Sequence, residues 1–263
     1  MSTSARQIYN IPNSIKKGAA FTFCPGCDHG LAIKLVAHVL DELELQESTI
    51  AVASSGCSVF LYDFLDVDCL EAPHGRACAV ATGIKRAQKA MGKDTFVFTY
   101  QGDGDFASIG LSESMHSALR GENITAICIN NTNYGMTGGQ MGPTTVMGQV
   151  TSTSPTGRNA QYHGYPIKTA EQIALCEGTS YSARVAMYNV KQACNAKKAI
   201  KKAFEYQQKG LGFSFVEILS SCPTNWKLSP VDAHKKVKEL TTIYPLGTFK
   251  DVLQEVKKGS SDD

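Results

Sequence analysis

The chain has 263 residues, 43% of them hydrophobic and 19% charged, with a formal net charge of +2. That length suits one large α/β unit, and the composition excludes a disordered chain. So small a net charge gives no electrostatic reason to expect nucleic acid or a membrane surface as partner.

Met1–Lys17 lacks the charged-then-apolar pattern of a signal peptide, and no apolar run is long enough to span a bilayer, so the expected compartment is the cytoplasm. Nine cysteines in a chain of this kind argue against a disulfide framework and for metal or redox chemistry at some of them. The first pair is Cys24-Pro25-Gly26-Cys27, which by itself fits a zinc knuckle, a redox pair or neither. No strand is evident before it, as a thioredoxin-like motif would need, and no second CxxC completes a zinc site.

Ile50–Ala53 is a short apolar run that reads as a buried strand, feeding a tight loop at Ser54-Ser55-Gly56-Cys57. Gly75–Met91 has the small and apolar residues of a close-packed helix. Thr95–Tyr100 reads as a strand, Gly102-Asp103-Gly104-Asp105 as the turn after it, and Ala107–Leu119 as a helix. Ile124–Ile129 predicts a strand ending in Asn130-Asn131. From Asn131 to about Pro166 no element is legible, and a loop that long inside a compact domain is usually functional. Ala170–Cys176 (helix), Ala183–Met187 (strand), Val190–Gln208 (helix) and Phe213–Leu219 (strand) complete the alternation. The lysines at 197, 198, 201 and 202 read as a solvated helix face. Strands alternating with helices predict an α/β fold, a mostly parallel sheet covered on both faces, with ligands beyond the carboxyl ends of the strands. No repeat or linker interrupts the chain, so residues 1–263 are expected to form a single domain.

Asp103 and the Asn131 amide end strands separated by one helix, which places them close together if the strands are neighbours. Oxygen donors of this kind suit Mg²⁺, and the glycines allow close backbone approach to a phosphate. Cys57 is the best third thiolate beside the CxxC, and Cys222, just past a strand end, a fourth. Cys128, Cys176 and Cys194 fall inside predicted elements and read as ordinary buried cysteines, while Cys69 and Cys78 stay open as alternatives.

Gly102-Asp103-Gly104 followed by Asn130-Asn131 resembles the signature of thiamine-diphosphate enzymes. That resemblance implies Mg²⁺ held by Asp103, Asn131 and the carbonyl of Asn133. The continuation Tyr134-Gly135-Met136-Thr137-Gly138-Gly139-Gln140 resembles the β subunits of 2-oxoacid:ferredoxin oxidoreductases, where the segment wraps the cofactor diphosphate. The likeness runs from about Phe23 to Phe249 and includes Glu71–Arg76 and Cys222–Trp226. It implies a thiamine-diphosphate-binding fold, an N-terminal cluster-binding segment and a C-terminal extension. It also implies a [4Fe–4S] cluster on Cys24, Cys27, Cys57 and Cys222. Two positions depart from the family pattern. Asp28 stands where Gly is commoner, and Ser54-Ser55-Gly56 where Gly or Val is commoner before the third cysteine.

By the same resemblance, Gly56, Cys57, His74, Gly102, Asp103, Gly104, Asp105, Asn131, Tyr134, Gly135, Met136 and Thr137 are expected at the cofactor. His74 beside Arg76 at a helix start suits a diphosphate or a substrate carboxylate. The Glu that addresses the cofactor's pyrimidine is expected from a partner α subunit, and Glu113 and Glu171 are better explained by surface solvation. Ferredoxin, γ and ferredoxin-like δ subunits, CoA and a 2-oxoacid are the further partners and substrates implied. The resemblance is strongest to the branched-chain, 2-oxoisovalerate type, with Met136 and Met141 as flexible apolar walls. No Arg or Lys lies between Tyr134 and Val150 to pair with a second carboxylate.

Overall fold

A computed structural model describes residues 11–254. The first ten residues, part of the stretch read as lacking a signal peptide, lie outside the described residues. Helix α1 (His29–Glu42) opens the regular structure. Its apolar residues recur at helical spacing, and Ile33, Val36 and Leu40 are all fully buried. Strand β1 (Thr49–Ser54) leads into a 3₁₀ turn (Cys57–Phe60), the short α2 (Leu61–Phe64) and edge strand β2 (Asp68–Ala72). Helix α3 (Ala77–Ala90) precedes β3 (Phe96–Gly102), a π turn (Asp105–Ile109) and α4 (Leu111–Leu119). Next come β4 (Thr125–Asn130), a small hairpin of β5 (Asn133–Tyr134) and β6 (Gln140–Met141), α5 (Ala160–His163) and α6 (Thr169–Ala174). Strand β7 (Thr179–Ala186), α7 (Val190–Gln208), β8 (Phe213–Leu219), α8 (Pro223–Trp226), α9 (Pro230–Leu240) and β9 (Gly247–Asp251) follow.

The main sheet has seven strands in the order β2-β1-β3-β4-β8-β7-β9, all parallel except β9, which pairs antiparallel with β7. Alternate residues of each strand point to opposite faces. Phe96, Phe98, Ile127, Ile129, Val216 and Ile218 pack with α1 and α7, while Val97, Ala126, Cys128, Phe213 and Phe215 pack with α3, α4 and α6. Both faces are covered, as expected for the parallel α/β class.

Several boundaries differ from the expectations. The predicted turn at Gly102–Asp105 is a strand end running straight into helical backbone, and the helix predicted over Ala107–Leu119 divides into the π turn and α4. The strand expected at Ala183–Met187 begins at Thr179 and ends at Ala186. The segment read as featureless contains the β5–β6 hairpin and α5. Helix α1 and strands β2 and β9 were not legible. The residues of β2 are mostly exposed and carry no alternating apolar pattern. Cys194 is exposed on α7, whereas Cys128 and Cys176 are buried as expected. The lysine face of α7 is not simply solvated. Lys197 and Lys201 pair with Glu42, and Lys202 pairs with Asp251 and lies over the rings of Tyr181 and Tyr206.

Candidate cofactor and thiol site

In β1, β3, β4 and β8, adjacent and parallel, the last residues stand side by side: Gly102 pairs with Ile129 and Asn130 with Leu219. The loops leaving these strands therefore share one edge of the sheet. They enclose a cavity of about 250 Å³. Its lining includes Gly56 and Cys57 after β1, His74 after β2, Gly102–Asp105 after β3, and Asn131, Asn133 and Tyr134–Thr137 after β4. Every residue expected at the cofactor thus lines one space. His29, Ser55 and Ser58 line it as well, and sequence reasoning left all three unassigned. His29 carries a signal only in three dimensions. Its ring stacks on Phe23, its Nδ1 lies 3.0 Å from the Tyr100 hydroxyl, and full burial pushes its imidazole down to about 4, so it is neutral at neutral pH.

Asp103 is 1% exposed. Burial pushes its carboxyl up to about 7, against the opposing effect of hydrogen bonds from Thr144 and from the Asp103 and Gly104 backbone. Asn131 Oδ1 accepts the Asn133 N–H at 3.2 Å, and the buried Asn133 Oδ1 has no hydrogen-bond partner. A Cβ placed on Gly142 would stand 3.5 Å from Asp103 Oδ2 and 3.6 Å from Asn133 Cα, so these two residues border the same small space. A carboxylate costly to bury alone and an orphaned amide oxygen are donors that a hard divalent cation would satisfy. Gly104 is required by close approach, because a Cβ there would meet the Tyr134 ring at 2.2 Å.

Asp105 lines the cavity, yet its carboxylate is largely engaged within the protein. Oδ1 accepts from Ser54 Oγ at 2.7 Å and Gly75 N at 2.6 Å, and Oδ2 accepts from Gln101 Nε2 at 2.5 Å. His74 Nδ1 lies 2.7 Å from Oδ1 without the alignment of a hydrogen bond. Asp105 therefore ties the loops after β1, β2 and β3 to each other. Arg76 does not line the cavity, and its charge is spent on Glu113 at 2.5 Å. Glu113 and Glu171 are not free solvated carboxylates either: Glu171 grips the fully buried Arg184, which also bonds the buried Glu217 at 2.7 Å. Met136 lines the cavity, whereas Met141 sits on β6, where its N–H bonds Thr153, and does not line it.

The four nominated thiols gather beside this cavity. A Cβ on Gly135 would lie 3.4 Å from Cys57 Sγ and 3.7 Å from Cys222 Sγ. Burial pushes Cys27 up to about 12 and Cys57 up to about 11, with Cys222 adding to both, Cys57 adding to Cys27 and Cys24 to Cys57. Burial also raises Cys222, and Asn225 Nδ2 donates to its sulfur at 3.3 Å. Cys69 and Cys78 do not join them: Cys69 packs beside the core under α1, and Cys78 bonds Gln101 on the α3 face. Among the described residues no three His, Cys, Asp or Glu side chains converge tightly enough for a single metal ion. Four neighbouring thiols are the donor set that a [4Fe–4S] cluster would take, one thiolate to each iron.

A mostly parallel α/β sheet with an acid-amide pair at adjacent strand ends, opening on a cavity of about 250 Å³, is a cofactor-binding α/β fold. Residues 55–218 match the family of thiamine pyrophosphate enzymes, C-terminal TPP binding domain. The chain is 44% identical over 240 residues to ketoisovalerate oxidoreductase subunit VorA of Methanothermobacter thermautotrophicus, covering 90% of this chain and 50% of that one. It is 35% identical to 2-oxoglutarate synthase subunit KorB of Archaeoglobus fulgidus, with 89% and 85% covered. The fold superposes on a 2-oxoglutarate:ferredoxin oxidoreductase from Magnetococcus marinus with a TM-score of 0.75 and 26% identity, covering 97% of this chain and 92% of that one. This chain belongs to the thiamine-pyrophosphate-binding subunits of the 2-oxoacid:ferredoxin oxidoreductases. It spans about half the length of the ketoisovalerate relatives it matches. No helix among the described residues is long and apolar enough to cross a membrane.

Proposed function

We propose that this chain, in complex with a partner subunit, oxidatively decarboxylates a branched-chain 2-oxoacid to an acyl-CoA and passes the electrons through a [4Fe–4S] cluster to ferredoxin. The observation that carries the reading is the adjacency of the Asp103, Asn131 and Asn133 pocket to four clustered thiols, with Gly135 between them. Asp103, the Asn131 side chain and the Asn133 carbonyl would hold Mg²⁺, and the cavity-lining residues from Tyr134 to Thr137 would contact the diphosphate. When bound, thiamine diphosphate supplies the carbanion chemistry of decarboxylation. The chain's own residues orient the diphosphate end, keep neutral His29 against the cavity and place the Cys57 and Cys222 thiolates beside it. Cys24, Cys27, Cys57 and Cys222 hold the cluster.

Among the residues lining the cavity there is no Glu, Lys or Arg. The pyrimidine-directed Glu therefore comes from the α subunit, and nothing here awaits a second substrate carboxylate, which favours an aliphatic tail over 2-oxoglutarate. Identity runs the same way, at 43% and 44% to the ketoisovalerate subunits against 35% and 36% to two of the 2-oxoglutarate subunits. Partners of the γ and ferredoxin-like δ kind, and a cytoplasmic setting, complete the proposal. The test is anaerobic purification of the native complex and assay of 2-oxoisovalerate, pyruvate and 2-oxoglutarate with CoA and an artificial electron acceptor. Preference for 2-oxoisovalerate is expected, and turnover confined to 2-oxoglutarate would refute the substrate assignment. A colourless complex that decarboxylates without passing electrons would show a non-redox decarboxylase or synthase.

A further inference from the structure

The CxxC loop, the Cys222 loop and α9 meet at one side chain, Asp28, which is 3% exposed. Its Oδ2 accepts the Ser221 N–H at 2.8 Å, and its Oδ1 lies 3.0 Å from His234 Nε2 on α9. Alongside, Ser221 Oγ donates to the Gly26 carbonyl at 2.5 Å. Gly26 has φ +79°, and a Cβ there would stand 2.5 Å from Pro230 Cβ at the start of α9. Two hydrogen bonds thus staple the turn between Cys24 and Cys27 to the loop carrying Cys222, and the glycine lets α9 close over it. Asp28 also stands where the family pattern favours Gly, so this carboxylate is a feature of the chain rather than of the cluster motif.

A carboxylate this buried is costly unless it is partnered, and its partners here are a backbone N–H and an imidazole. Asp28 directly follows Cys27 in the chain, so its carboxylate stands next to a proposed cluster ligand. His234 on α9 is in contact with it, while Lys236, also on α9, acts on Cys222 rather than on Asp28. The potential of an iron–sulfur cluster depends on nearby charge and on hydrogen bonding and burial around it, and groups behind the ligands set their orientation. We propose that Asp28 is a positioning residue that locks the CxxC turn to the Cys222 loop and, by its negative charge, holds down the reduction potential of the cluster bound by Cys24, Cys27, Cys57 and Cys222. The proposal rests on reading those four cysteines as cluster ligands.

The test uses the complex purified anaerobically, with iron and sulfide content, iron loss to a chelator, and a redox titration followed by electron paramagnetic resonance. Asp28→Asn keeps an oxygen for the Ser221 N–H but removes the charge, so the cluster should load fully and its midpoint move to more positive values. Asp28→Gly removes the staple as well, and iron loss to the chelator should quicken ~10-fold. Glu239→Gln, the same charge change at an exposed position of α9, should alter neither. An unchanged midpoint in Asp28→Asn, in a complex whose wild type carries a full cluster, overturns the electrostatic role and leaves the cluster assignment standing. Unchanged iron retention in Asp28→Gly overturns the staple. Should Asp28→Gly fail to fold, the Asp28→Asn midpoint decides alone. A wild-type complex that takes up no iron overturns the cluster assignment and this proposal together.

Discussion

Asp103 has to be buried to sit at the base of the cavity and ionised to hold a cation. Burial pushes its carboxyl up to about 7, so below that pH a cation must displace a proton. Apparent Mg²⁺ affinity, followed by calorimetry with thiamine diphosphate present, should fall about tenfold per pH unit below pH 7 and level off above it. Without the cation the sign reverses: the raised carboxyl favours the folded state at low pH, and that contribution is lost as pH rises from the ordinary carboxyl range through about 7. Asp103→Ala should abolish Mg²⁺-dependent cofactor binding while leaving iron content intact. The thiols make a matching prediction, because hydroxyls do not replace thiolates as soft iron ligands. Iron content should fall in Cys24→Ser, Cys27→Ser, Cys57→Ser and Cys222→Ser, and stay full in Cys128→Ser and Cys194→Ser. Loss in Cys69→Ser or Cys78→Ser with retention in Cys222→Ser would move the fourth ligand.

The element that presents Asn131 and Asn133 is held from behind. Thr132 lies between them at φ +61°, a left-handed conformation that a β-branched residue rarely adopts. Its N–H donates to Asn130 Oδ1 at 3.1 Å, its hydroxyl accepts from Gln149 at 3.0 Å, and its carbonyl accepts from Thr145 at 2.6 Å. Asn130 in turn donates to Glu217 at 2.7 Å, and Glu217 accepts from Arg184 at 2.7 Å, both of these side chains fully buried. The end of β4 is therefore anchored through β8 to β7. Glu217→Ala leaves Arg184 paired with Glu171 but takes the acceptor from Arg184 Nε and from Asn130 Nδ2, both buried. It should cost about 1–3 kcal/mol in urea unfolding, with cofactor affinity lost at urea concentrations that leave the wild type folded. The hydrophobic patterns of β4 and β8 were readable, and so was the asparagine pair after β4. The anchoring network was not, because Asn130 and Glu217 lie 87 residues apart, on β4 and β8, and meet only through the sheet order.

At the scale of the molecule, the proposed cofactor cavity is lined by Asp103 and Asp105 but by no Glu. Met136, which lines the cavity, is 45% exposed, as suits coverage by another surface. An obligate interface of this kind commonly buries ~2,000 Å² or more in total. The isolated chain should therefore show no CoA-dependent 2-oxoacid oxidation even with cofactor, Mg²⁺ and an intact cluster, and should self-associate in sedimentation. Adding the α subunit should restore turnover, and replacing that subunit's pyrimidine-contacting Glu by Gln should suppress it. Robust oxidation by the chain alone would overturn the split site.

The sequence by itself determined the class of fold and the chemistry of the strand ends, because both are local. Apolar runs of strand and helix length alternate, and Gly102-Asp103-Gly104, Asn130-Asn131 and the cysteines at 57 and 222 fall directly after strands. Only the tertiary structure decided which ends are neighbours. The order β1-β3-β4-β8 sets Cys57 and Cys222 on either side of the Asp103 and Asn131 pair, although β4 and β8 are separated by three helices and three strands in the chain. It also decided the surroundings of Asp28, His29 and Asp105. Asp105 was expected at the cofactor and Asp28 stood out only as a departure from the family pattern, while His29 was unassigned; all three are buried, partnered groups in the fold, since burial and hydrogen-bond partners are properties of packing rather than of local sequence.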